Sequence, residues 1–115
     1  MKVISAVFFK LSNDKEPVKD WLLSLDKQDR LIIGQDIKTI ELGWPLGMPL
    51  VRKMDNSLWE VRCSLKGKRI SRVLFTVYRN QMVLLHGFIK KTQKTPVNDL
   101  SKAKKRRDLI LGGEK

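Results

Sequence analysis

Three short polar breaks divide the second half of the chain into four strand-like runs, and this spacing restricts the architecture more than any other feature. The runs cover residues 50–54, 58–65, 69–78 and 82–90. They are joined by Asp55-Asn56-Ser57, Lys66-Gly67-Lys68 and Arg79-Asn80-Gln81. Parallel neighbours need a crossover of about a dozen residues or more, so connections this short predict an antiparallel meander.

The first half reads differently. Val3, Ala6, Phe8 and Phe9 lie in a β-favouring run, which predicts a first strand over residues 2–9. A basic and then apolar start is also how a signal peptide begins. Here the apolar stretch is short, Lys10 closes it and no small-residue cleavage site follows, so it is read as a strand. Asn13 or Asp14 caps a first helix, with Pro17 in its first turn, and Val18, Trp21, Leu22 and Leu25 recur at helical spacing. Asp26 caps a second helix, with Asp29 at the capping-box position, an apolar stripe of Leu31, Ile33, Ile37 and Ile40, and a stop at Gly43. Residues 43–49 form a Gly/Pro loop. A last helix is expected over residues 97–111, with Thr95 as its cap and Leu100, Ala103, Arg107 and Leu111 on its thin inner stripe. The order β-α-α-β-β-β-β-α predicts an α+β fold and one domain over residues 1–115. Two N-terminal helices would cover one face of the antiparallel sheet and leave the other partly open.

Charge narrows the partners. The chain carries 24 Lys and Arg against 12 Asp and Glu, a formal net charge of +12, while 42% hydrophobic residues suffice for a core. The longest apolar run, Met82-Val83-Leu84-Leu85, falls far short of a membrane span. One cysteine, Cys63, makes no internal disulfide, and one histidine, His86, makes no multi-histidine metal site within the chain. These features predict a cytoplasmic protein that uses neither metal nor cofactor, avoids membranes and meets a polyanion such as nucleic acid or an acidic protein.

Period 2 then shows what the strands display. Glu60, Arg62 and Ser64 lie opposite Trp59, Val61 and Cys63. Arg72 lies with Ile70, Leu74 and Thr76, opposite Val73, Phe75 and Val77. On the last strand Leu84, His86, Phe88 and Lys90 fall on one face, and Val83, Leu85 and Ile89 on the other. Lys91 and Lys94 follow. Such a set suits RNA, since cations neutralise phosphates and Phe88 offers a surface for an unstacked base. It also suits phosphodiester cleavage, with Glu60 or His86 moving protons and Arg72 and the lysines holding the phosphate. Each residue has a plainer reading. Arg72 needs an anion, and that anion is as readily Glu60 as a phosphate. A lone strand histidine such as His86 is more often a hydrogen-bonded structural residue and Phe88 more often core, while Glu60 and Arg62 are as readily a solvated strand edge. The three tryptophans are read as packing residues, and Cys63 as a small buried one. The basic run over residues 102–107 is a solvated helix face or a contact for nucleic acid or an acidic partner.

Three segments in this order carry a resemblance. They are Ser57-Leu58-Trp59-Glu60-Val61-Arg62, Arg69-Ile70-Ser71-Arg72-Val73-Leu74-Phe75, and Leu84-Leu85-His86-Gly87-Phe88-Ile89-Lys90-Lys91-Thr92-Gln93-Lys94-Thr95-Pro96. Together they are similar to the phage-derived, HigB-like branch of the RelE/ParE toxin superfamily. The resemblance implies a toxin of a type II toxin–antitoxin pair with a microbial-ribonuclease-like sheet. It implies metal-independent cleavage of mRNA on the 70S ribosome, in which the ribose 2′-hydroxyl attacks and leaves a cyclic phosphate. It assigns Arg72 to the phosphate, and Glu60, Arg62 and His86 to catalytic positions. Lys90, Lys91, Lys94 and Phe88 become RNA contacts. The C-terminal tyrosine of some relatives has no counterpart, so the general acid stays open. The implied partner is a helix-turn-helix antitoxin. A gyrase-directed toxin of the ParE type and a plain nucleic-acid-binding protein are the alternatives.

Overall fold

In the computed structural model, residues 1–90 and 95–112 are described. Their elements are β1 (Ser5–Phe8), α1 (Pro17–Ser24), α2 (Lys27–Gly43), β2 (Val51–Asp55), β3 (Leu58–Ser64), β4 (Ile70–Tyr78), β5 (Gln81–Lys90) and α3 (Val97–Gly112), with a single 3-10 turn at Lys66–Lys68. The fold is α+β. Strands β2 to β5 form the expected antiparallel meander. At the β4–β5 hairpin the two turn residues, Arg79 and Asn80, have φ of 50° and 62°. Two residues in the left-handed region give the turn the twist that a two-residue hairpin requires.

The all-antiparallel expectation is corrected at one edge. The sheet order is β1-β5-β4-β3-β2, and β1 pairs parallel with β5. The sheet is therefore mixed. The intervening helices and meander return the chain to β1's side, a long-range event that no local pattern signals. Glu41 of α2 fixes this edge, since its Oε2 accepts from the Ala6 N–H at 2.7 Å and its carbonyl from the Val3 N–H at 2.7 Å.

Helices α1 and α2 cover one sheet face. Their core joins Val18, Ile33, Ile37 and Ile40 to Val61, Val73, Phe75 and Leu84. Trp44 meets Trp59 edge-on at 5.0 Å, and Trp59 stacks on Phe75 at 6.0 Å, so two tryptophans pack as expected. Asp26 caps α2 by accepting from the Asp29 N–H at 3.1 Å. Asp29 does more than complete a cap. Its carboxylate takes a two-pronged bond from Arg69 at 2.8 and 3.0 Å, tying α2 to the start of β4. Burial pushes the Cys63 thiol far above its usual pKa.

The second face is not open. Helix α3 lies over β4 and β5 and closes a smaller core of Phe9, Leu58, Leu74, Val83, Leu85 and Ala103. Its basic run is only partly solvated. Arg106 donates to the Leu85 carbonyl at 2.8 Å, and Arg107 reaches Asp55 at 2.6 Å and the Asn56 carbonyl at 2.8 Å. Lys102 and Lys105 point to solvent. Thr95 does not cap this helix; the carbonyl of Pro96 accepts from the Leu100 N–H at 3.0 Å, and the Thr95 hydroxyl is used elsewhere. Among the described residues, no helix is long and apolar enough to cross a membrane.

Candidate functional site

Register decides which of the sequence-selected side chains meet. Residues directly opposite in an antiparallel pair share a face. Arg62 stands opposite Arg72, and Arg72 opposite Phe88. Glu60 stands opposite Leu74, and Leu74 opposite His86. Ile70 stands opposite Lys90. All six candidates on β3, β4 and β5 thus belong to one face, the one under α3. Lys91 and Lys94 lie outside the described residues.

The alternation read for β5 needs one correction. Phe75 pairs with Leu84, whereas Leu74 pairs with His86, so Leu85 is an extra residue in the ladder. A bulge of this kind breaks the two-residue period. Met82 and Leu84 therefore face α1 and α2, while Val83 and Leu85 turn to α3 along with His86 and Phe88. Without the bulge, Leu84 and His86 would share a face, as the simple alternation has it.

The centre of the site is a buried ion pair. Arg72 donates from Nη1 to Glu60 Oε1 at 2.5 Å, with the side chains 1% and 0% exposed. Thr95, entering α3, donates its hydroxyl to the other carboxylate oxygen of Glu60. Lys90 is 7% exposed, and its Nζ has no hydrogen-bond partner among the described residues. Burial, with Arg72 beside it, pushes the Lys90 ammonium below its usual pKa, and Glu60 and Asp99 only partly restore it.

A second pair lies alongside. His86 Nε2 and Asp99 Oδ1 of α3 are 2.6 Å apart. Burial pulls the His86 pKa below 6.5, and Asp99 opposes that shift. With Nε2 taken by Asp99, Nδ1 is the ring nitrogen left for another group. Phe88 tilts against the imidazole at 5.7 Å and packs into the α3 core, so it is a half-buried packing residue as well as a neighbour of the site.

Asp99 is not singled out by pattern, and Thr95 is read only as a helix cap. Asp99 did leave a signal, as the one acidic residue in the first turn of a strongly basic helix. Arg62, although opposite Arg72, joins neither pair. It lines a cavity at the edge of β3 with Ile32, Asp36 and Leu50, and its buried Nε has no hydrogen-bond partner among the described residues.

Together these groups offer a carboxylate, an imidazole, a lysine of lowered pKa and a permanent cation within one patch of sheet. That inventory serves proton transfer and anion stabilisation. Among the described residues, no group of three or more His, Cys, Asp or Glu side chains converges as metal ligands would. No curated protein matches the chain. The family described as phage derived protein Gp49-like (DUF891), a RelE-like family associated with the toxins of toxin–antitoxin systems, matches residues 20–108. That span runs from α1 through the whole meander, the buried Arg72–Glu60 pair and the half-buried His86–Asp99 pair into α3, and the chain belongs to this family.

Proposed function

We propose that the protein is the HigB-like toxin of a type II pair and acts as a ribosome-dependent mRNA endonuclease. The observation that carries this reading is the shared sheet face of Glu60, Arg72, His86 and Lys90, set in a chain of a toxin-associated family. His86, with its pKa lowered, is neutral near pH 7 and suits removal of the 2′-hydroxyl proton at Nδ1. Asp99 at Nε2 then stabilises the imidazolium that forms. The ribose oxygen attacks phosphorus, Arg72 and Lys90 draw the pentavalent charge, and the 5′-oxygen leaves with a proton. An exposed lysine is a poor acid because its pKa lies far above 7. Lys90 is a better one, since burial and Arg72 both favour its release of a proton.

This chemistry sets a condition. Arg72 and Glu60 lie below the surface, so RNA reaches them only when α3 and Thr95 part from the sheet. The same burial favours a second reading, in which the ion pair is structural and the toxin works by gripping a protein such as gyrase. Controlled expression followed by mapping of mRNA 5′ ends separates the two. New ends in register with codons, lost in ribosome-free extracts, support the nuclease. Growth arrest with intact mRNA and inhibited supercoiling supports the gyrase reading.

The partner follows from charge. A helix-turn-helix antitoxin with an acidic segment fits a cytoplasmic chain of net charge +12. Their association rate should fall as salt rises, and a rate unaffected by salt would remove the electrostatic part of this reading.

A further inference from the structure

Arg62 and Arg72 stand directly opposite each other on β3 and β4. Like charges at such a pair repel unless each finds an anion. Arg72 has Glu60. Arg62 makes no ion pair with any described residue, although its Nε is buried. Arg62 lines a cavity of about 440 Å³ that also touches the residues just before β2, the end of β3 and the start of β4. Its walls are Ile32, Pro49, Leu50 and Ile70, with Ser64 as a neutral polar group. Asp36 also lines it, and forms no ion pair with Arg62.

We infer that this cavity is a subsite for one nucleotide of an RNA strand, with Arg62 holding the phosphate and the apolar wall taking the base. Four apolar lining residues, Ile32, Pro49, Leu50 and Ile70, suit a flat ring. A lone partly buried guanidinium suits a phosphate, which it can bind through two parallel N–H bonds. Ser64 and Asp36 supply the donors and acceptors that a ribose or a base edge needs. The cavity adjoins the buried site by one strand spacing, because Arg62 is Arg72's neighbour and Ile70 is Lys90's. A nucleotide held here is therefore next in line to the phosphate at Arg72. The inference rests on the reading of the chain as an RNA-cleaving toxin and adds where the strand is gripped.

The test is a titration of the full chain with adenosine, guanosine, cytidine and uridine 5′-monophosphates, followed by the methyl resonances of Ile32, Leu50 and Ile70. At least one mononucleotide should move all three. Arg62→Gln should weaken that binding by about tenfold or more, as expected for a lost charge-assisted bond. The matching nucleoside should bind more weakly than its monophosphate. Methyl resonances of Val83 and Leu85, in the separate core under α3, report that the variant is folded. Unmoved cavity methyls, equal affinity in Arg62→Gln, or a response to inorganic phosphate alone would each overturn the inference. A chain that fails this titration yet cuts mRNA on ribosomes loses the subsite and keeps the nuclease. A chain that passes it without cutting mRNA keeps the subsite and loses the nuclease.

Discussion

Arg72 and Glu60 sit diagonally across two neighbouring strands and close a 2.5 Å ion pair from which water is shut out. The pair makes Arg72 a structural residue whatever else it does. Removing one member of a buried pair leaves the other charge uncompensated, at a cost of about 3–5 kcal/mol. Arg72→Ala and Glu60→Ala should therefore each lower stability by that order in urea melts. Replacing both with apolar residues of similar volume, Glu60→Leu with Arg72→Met, should cost less than either single change. A double variant as unstable as the sum of the singles would show that the charges do not interact. Loss of toxicity in Arg72→Ala alone does not identify a catalytic group, and activity is better read from variants that keep the fold.

His86 gives a cleaner handle, because it is the one histidine in the chain. Burial lowers its pKa below the unperturbed 6.5. The fold thus favours neutral imidazole, and this contribution is fully present above pH 6.5. It is lost as pH falls from 6.5 through the folded pKa. Asp99 pulls the other way, so Asp99→Asn should move the folded midpoint lower still. Ring-proton titration by NMR should show both effects. A midpoint above 6.5 in the parent, or a rise in Asp99→Asn, would contradict this account.

Gly87 is a packing requirement rather than a turn. It stands opposite Val73 beneath α1, and a Cβ there would come within 2.4 Å of Trp21 Cζ3. The ring would have to leave its seat. Gly87→Ala should cost about 1–3 kcal/mol, as overpacking does. The cost should shrink in a Trp21→Leu background, since the two sites share one contact. Equal costs in both backgrounds would exclude the ring as the cause.

Much of this fold was legible because its connections are short. Polar breaks of three residues between strand-like runs forced the meander, and Asp26 announced α2. What stayed hidden was long-range or broke a period. The parallel pairing of Ser5–Phe8 with β5 depends on where the whole chain returns. The extra residue at Leu85 reverses every face assignment before it, and nothing in Met82-Val83-Leu84-Leu85 marks it. The candidate site was half legible. Glu60 and Arg72 were visible as partners because the strands around them are apolar. Thr95 and Asp99 were not, because each reaches the sheet from an element whose docking no local pattern gives.

Helix α3 is the element on which the nuclease reading turns. It buries only Ala103 fully, with Leu100 and Ile110 partly buried in the smaller core. The rest of its attachment is polar: Asp99 to His86, Arg106 to the Leu85 carbonyl and Arg107 to Asp55 and Asn56. An element with few buried apolar contacts opens at a lower free energy than the central strands. Amide exchange in α3 should therefore be faster than in β4, by a route that leaves β4 protected. Arg107→Ala should speed exchange in α3 further, whereas Lys105→Ala, an exposed position, should leave stability within about 0.5 kcal/mol. If α3 amides exchange only as slowly as those of β4, the helix leaves the sheet only by global unfolding. RNA would then have no path to Arg72, and the nuclease reading would fall in favour of a toxin that acts by binding.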